Sequence, residues 1–224
     1  MEQTFPYVVF TIFGIPVRDT VVATWMMMAA WTILAYLVSR RVSLKPKGWQ
    51  HLVELGIETL EGLISRTIGR PGEEFLPMIG TLILFIATAN LWGLLPGLPS
   101  PTSDVNTPLA LAVVIFFAVH YYGIRQRGLR GYIKHLAGPI FVSLPLEILG
   151  HIGRTLSLSL RLFGNMIAGT VIIAVLYRII PLFVPVLMLL FNLLIGILQA
   201  FVFTLLTIVY IGQAVGPLDE EAGG

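Results

Sequence analysis

Residues 143–177 read SLPLEILGHIGRTLSLSLRLFGNMIAGTVIIAVLY, and this stretch decides the fold. It is apolar enough for a bilayer, yet it carries Glu147, His151, Arg154 and Arg161. A helix turns about 100° per residue, so positions seven apart return to nearly the same face. Glu147, Arg154 and Arg161 are spaced by seven, and His151, Leu158 and Asn165 fill the stripe between them. One face is therefore polar and the rest is Leu, Ile, Val and Phe. Arg161 lies near the middle, too deep for its head group to reach water easily. An arginine there costs about 3 kcal/mol on insertion scales and about 10–17 kcal/mol in simulations of isolated helices. Deprotonation offers no escape. Glu147 is about 21 Å away along the axis, so the expected counter-charge is an acid on another subunit. The alternative is an arginine satisfied by carbonyls and water, acting as structural glue.

The rest of the chain agrees with a membrane setting. Of 224 residues, 56% are hydrophobic and 12% are charged, about half the charge of a soluble domain, which makes this a polytopic membrane protein. Zero cysteines exclude disulfides, thiolate metal sites and thiol catalysis. The start, MEQTFPYVVF, has no basic n-region, so no cleaved signal peptide is expected.

Five spans are predicted, together with one amphipathic helix. After a polar-aromatic lead, Val21 to Ser39 is the first span, about 28 Å as helix, with Asp19 or Thr20 able to cap it. Arg40, Arg41, Lys45 and Lys47 follow and place that end in the cytoplasm. Trp49 to Arg70 alternates Leu and Ile with Glu54, Glu58, Glu61 and Arg66. It reads equally as an amphipathic helix at an interface or partner and as a solvated linker helix. Leu76 to Leu95 is the second span, and Thr107 with Pro108 opens a third running to Gly123. Arg125, Arg127, Arg130 and Lys134 mark the cytoplasmic side again. The chain thus starts outside and ends, in the acidic LDEEAGG tail, inside. The fourth span is the charged stretch, led in by Pro139 and Pro145, and the fifth falls within Ile179 to Leu218. Both exceed a core of about 30 Å, and a 45 Å helix crossing it leans by roughly 45–50°. The fold class is all-α membrane protein in a single integral domain. Residues 1–74 hold the first span and the interface helix, 75–135 a transmembrane hairpin, and 139–217 the tilted two-helix region.

At SLSLRLFGNMIAG (157–169), with SLPLEIL before it and LQAFVFTLLTIVY (198–210) after, the chain resembles subunit a of F-type ATP synthases. NLWGLLPG (90–97) and SPTSDVNTPLALA (100–112) also resemble that family. The resemblance implies a stator subunit, not an enzyme on its own, with two oblique helices against a rotating ring of c subunits. It implies a peripheral-stalk subunit b and the remaining synthase subunits as partners, no cofactor or metal and no nucleic acid. It also implies a prokaryotic plasma membrane location. Arg161 matches the arginine that faces the ring's ion-binding carboxylate. By the same resemblance, Asn165 and Gln199 lie beside it, Glu147 is an acid of the cytoplasmic access path and Asn90 belongs to the external half-channel. His151 and Arg154 join the translocation set through their place on the Glu147 stripe. Read from the residues alone, Asn90 and Gln199 could instead be inter-helix hydrogen-bonding groups, and Glu147 an interfacial structural charge.

Thr170 stands where some members have an acid or histidine, and Asn192 where they have a titratable residue. Neutral oxygens suit a hard cation such as sodium, whereas a side-chain relay wants groups that titrate near working pH. Water files carry protons without such groups, so the lining does not decide; protons are favoured and sodium is the alternative. Thr155 replaces a proline common in the family. A secondary transporter is the remote alternative, but it would show inverted repeats. An intramembrane enzyme would show a motif such as HExxH or GxSxG, and His51, His120, His135 and His151 have no metal-ligand spacing.

Overall fold

The computed structural model describes residues 8–12, 14–40, 48–93, 100–137, 143–179 and 184–216. Six helices carry the fold: α1 (Asp19–Ser39), α2 (Trp49–Ile68), α3 (Leu76–Trp92), α4 (Asn106–Ala137), α5 (Ser143–Ile179) and α6 (Val184–Val215). Long apolar runs in α1, α4, α5 and α6 are sufficient to cross a membrane, and α3 is a shorter apolar helix of 17 residues. This is the all-α membrane architecture expected, with five apolar helices and the amphipathic α2.

Differences from expectation have local causes. The polar-aromatic lead holds a small antiparallel hairpin, β1 (Val8–Ile12) with β2 (Ile15–Arg18). Its β-branched and aromatic residues favour extended backbone, and Gly14 supplies the positive φ of +82° that the reversal needs. Neither Asp19 nor Thr20 caps α1: the N-cap is Arg18, and Asp19 accepts from the Thr20 N–H one residue inside the helix. The second span stops at Trp92 rather than Leu95, and residues 94–99 lie outside the described set, as does the lead-in around Pro139. The third continues past Gly123 and breaks only at Gly128, whose φ of +70° and ψ of +161° turn the chain back on itself.

Helix α6 packs against α2, α3, α4 and α5 and is the centre of the bundle. Phe203, Ile208, Ile211 and Val215 of α6 are fully buried, facing Ile64 and Ile68 of α2, Ile79 and Ile86 of α3, and Leu158 and Leu162 of α5 in one cluster. The second half of α2 thus docks on its own chain, while Leu52, Val53, Leu55 and Ile57 of the first half are exposed. At 37 and 32 residues, α5 and α6 are about 55 and 48 Å long. Such lengths call for a steep lean across a core of about 30 Å.

Each end of the bundle is tied by a buried charge. At one end Asp104, 3% exposed, accepts from Arg18 at 2.8 Å and from the Thr20 hydroxyl at 3.3 Å. Its other oxygen takes the backbone and side-chain N–H of Asn106, closing the start of α4. Thr107, expected with Pro108 to open this span, lies one residue inside α4, and Asp104 does the capping. Burial pushes the Asp104 carboxyl up, but the Arg18 hydrogen bond and the Asn106 N–H outweigh it and hold the group below its usual value. At the other end Arg70, 7% exposed, donates to the Gly216 carbonyl at 2.8 Å and to Gln126 at 3.1 Å. Arg127 donates to the Val215 carbonyl at 2.9 Å, and His135 lies 3.1 Å from that of Gln213. Basic groups thus gather on the carbonyl end of α6, where the helix dipole is negative.

Two outcomes follow for stability. A carboxylate with a lowered folded-state pKa stabilises fully above the unfolded value of about 3.9, and the contribution fades as pH falls through the lowered value. Asp104→Asn should lower the unfolding midpoint at pH 7, and the gap from wild type should close toward pH 3. A gap independent of pH would rule this ion pair out as the cause. Arg70→Ala should cost about 2–3 kcal/mol in denaturant titration of the solubilised chain, the usual worth of charge-assisted hydrogen bonds. Unchanged stability would contradict the anchoring of α6.

Candidate functional site

The polar stripe of α5 divides into two environments. Over the two heptads from Glu147 to Arg161 the helix rises about 21 Å and drifts about 40°, and it is chiefly the rise that separates them. Glu147 is engaged within its own helix: Arg154 lies 3.1 Å and His151 3.5 Å from the same carboxylate oxygen. Arg154 also donates to Gln213 of α6 at 2.8 Å and sits over the Tyr210 ring. Around these groups opens a cavity of about 630 Å³ lined by His135, Glu147, His151, Arg154, Tyr210 and Gln213. His120 of α4 meets His151 ring to ring at 5.5 Å, and its Nδ1 lies 2.7 Å from the Phe116 carbonyl.

Arg161 is exposed on the outer side of α5, and among the described residues no group hydrogen-bonds or ion-pairs with it. One turn on, Asn165 donates to Gln199 of α6 at 3.0 Å, joining the two long helices. Gln199 is 6% exposed. Asn90 of α3 donates to the Gly196 carbonyl of α6 at 2.9 Å and accepts from the buried Thr102 hydroxyl at 3.1 Å. Glycines make these approaches possible. A Cβ at Gly169 would stand 2.6 Å from the Asn192 amide, and one at Gly196 would stand 3.0 Å from the Cβ of Asn90. Thr170 spends its hydroxyl proton on the Ile167 carbonyl of its own helix.

Asn90, Asn165, Thr170, Asn192 and Gln199 together line a second, narrow cavity of about 50 Å³, room for a few waters at about 10–15 Å³ each. Buried Leu158, Leu162, Ala200 and Phe203 occupy the length of helix between the two cavities. From Arg154 to Leu162 this is about 12 Å along α5. All nine residues singled out in the sequence are accounted for. Five surround the narrow cavity, Glu147, His151 and Arg154 line the wide one, and Arg161 lies on α5 between the two groups. Asn90 and Gln199 also make the inter-helix hydrogen bonds that were their simpler reading. Tyr210 and Gln213 were missed. Gln213 lies 14 residues after Gln199, the same spacing that links Glu147 to Arg161, and that repeat was the available signal. Thr102 was missed because only tertiary contact brings it beside Asn90.

The family model described as ATP synthase A chain matches residues 21–212. ATP synthase subunit a 2 of Bradyrhizobium sp. strain BTAi1 is 44% identical over 211 residues, covering 94% of this chain and 95% of that protein. ATP synthase subunit a of Moorella thermoacetica is 40% identical, covering 96% and 99%, and subunit a 2 of Picosynechococcus sp. strain PCC 7002 is 42% identical, covering 88% and 86%. With a family match over residues 21–212 and relatives at 40–44% identity over most of both chains, the chain belongs to the ATP synthase A chain family.

Proposed function

We propose that this chain is the ion-translocating stator subunit of a rotary F-type ATP synthase, with Arg161 dividing two access paths to a ring of c subunits. The observation that carries this is the exposed guanidinium of Arg161, without a partner among the described residues, set on α5 between the stretches that line two separate cavities. An ion enters by one cavity and neutralises a ring carboxylate, which can then turn through the apolar membrane. As the carboxylate reaches Arg161, the adjacent positive charge favours its ionised form and the ion is released to the other path. The same charge repels a free cation, worth about 4 kcal/mol at 4 Å and an effective dielectric of 20. Leakage directly between the cavities is thereby opposed. Each charge crossing 100 mV supplies about 2.3 kcal/mol. The chain gives the ion its route, and ATP chemistry belongs to other subunits.

The wide cavity opens at the end that carries Arg125, Arg127, Arg130 and Lys134, the cytoplasmic end by charge asymmetry. The narrow cavity serves the outside, and the amino terminus lies outside with it, in a prokaryotic plasma membrane. Subunit b and the c ring are the partners. Protons are the ion of this reading, moving along waters in the narrow cavity and past Glu147 and His151 in the wide one. Sodium is the second reading, favoured by the amide and hydroxyl lining of the narrow cavity, which has no titratable side chain among the described residues. ATP-driven pumping in vesicles, with sodium present or withheld and a protonophore added, separates them. Pumping that needs sodium and survives the protonophore selects sodium.

Arg161→Ala should abolish ion-driven ATP synthesis while the complex still assembles; full coupled synthesis in that variant would overturn the assignment. Asn192→Leu and Thr170→Val should each slow conduction several-fold without uncoupling. Wild-type ion flux in both would remove these residues from the path.

A further inference from the structure

We propose that the segment 129–137, folded back at Gly128, is a binding element for anionic phospholipid headgroups beside the wide cavity. In an unbroken helix His120 and Tyr132 would lie about 18 Å apart, yet their rings are 5.9 Å apart. Tyr132 is 3% exposed and lies where a Cβ at Gly123 would meet its ring at 2.4 Å, so the segment is seated on the end of α4 by its own side chain.

The outward faces of this segment are sorted. At 100° per residue, Tyr132 and Leu136 point one way, and both are packed in the core. Leu129 and Ile133, 60% and 45% exposed, form the next strip round. Beyond them stand Arg130 and Lys134, both exposed. Apolar side chains therefore lie between the protein core and a pair of cations, the order met on going from acyl chain to phosphate at a membrane surface.

Arg130 and Lys134 also differ from the cations around them. Arg125 pairs with Glu74 at 3.1 Å, Arg70 and Arg127 hold carbonyls of α6, and Arg154 holds Glu147. Among the described residues nothing hydrogen-bonds or ion-pairs with Arg130 or Lys134, so two full charges are left for an anion. The occupant is lipid because α4 presents Val113, Val114, Phe117 and Ile124 outward within its span. What meets the strip at the end of that span is membrane. His135, in the same segment, lines the wide cavity and touches the Gln213 carbonyl. A bound headgroup therefore steadies the rim of that cavity. This does not depend on which ion passes through it.

The test is native mass spectrometry of the full chain released from mixed micelles holding phosphatidylglycerol and phosphatidylcholine in equal amounts. Wild type should retain phosphatidylglycerol preferentially. R130Q/K134Q should lose that preference by about fivefold per charge, roughly 30-fold for the pair, and L129A/I133A should weaken retention of both lipids. Arg66→Gln, which removes an exposed cation from α2, should change nothing. Equal retention by wild type and R130Q/K134Q overturns the proposal, as does an equal loss in Arg66→Gln, which would signal diffuse charge attraction. If R130Q/K134Q instead sheds a protein subunit from the purified complex with phosphatidylglycerol retention intact, the face is a protein contact and the lipid assignment falls. Because wild type is measured as well, a preference that 0.5 M salt does not reduce would also overturn it.

Discussion

The guanidinium of Arg161 is held on an apolar helix with no acid among the described residues paired to it, and the rest of the structure accommodates that constraint. The carboxylate that shares its stripe, Glu147, is already occupied by Arg154 and His151. The amides of Asn165, one turn further along α5, and of Gln199 on α6 are occupied with each other. Arg161 is thereby left exposed with its charge uncompensated among the described residues, and on the proposed reading a partner carboxylate has something to gain by approaching. An internal ion pair at that depth would have been more comfortable for the isolated chain and would have left no attraction for a rotor. The bundle lacks stability at the point where the proposed activity needs reactivity.

Holding an uncompensated charge steady requires rigidity elsewhere, and this comes from close helix approach and from the two ends. Small residues at 169 and 196 let amide side chains approach neighbouring backbone closely, so hydrogen bonds join α3, α5 and α6 alongside the apolar cluster they share. In hydrocarbon such bonds are modest in strength, about 0.6 kcal/mol on average. They nevertheless define register, because an amide offset by one residue loses its partner. At the ends, where water is available, stronger charge-assisted contacts do the anchoring: Asp104 gathers the starts of α1 and α4, and Arg70 holds the last turn of α6. Strong polar contacts sit at the rims and weak, well-registered ones lie in the middle.

The two cavities differ in kind for the same reason. The wide one borders charged and titratable groups that tolerate water, while the narrow one is walled by amides, a hydroxyl and aliphatic side chains. Between them the buried residues of α5 and α6 are mostly apolar, with Ser159, Thr204 and Thr207 among them. On the proposed reading an ion cannot pass from one to the other through this chain alone and must ride on the ring. The separation is a packing property of Leu158, Leu162, Ala200 and Phe203 as much as an electrostatic property of Arg161.

Much of this was legible in the sequence. Apolar length and the seven-residue repeat in α5 sufficed for the all-α membrane class, with four long apolar helices and a shorter one, and for the conspicuous arginine, because helix periodicity and the cost of burying charge act locally. Residues of one helix, such as Glu147, His151 and Arg154, could be grouped by spacing alone. The partners that lie far away in sequence could not: Thr102 beside Asn90, Arg70 on Gly216, Asp104 on Arg18, and the return of the chain at Gly128 that brings Tyr132 to His120. These contacts exist because close packing selects one mutual arrangement of helices among many that would bury the same apolar surface. That selection is a property of three-dimensional complementarity, which no periodicity along a single helix records.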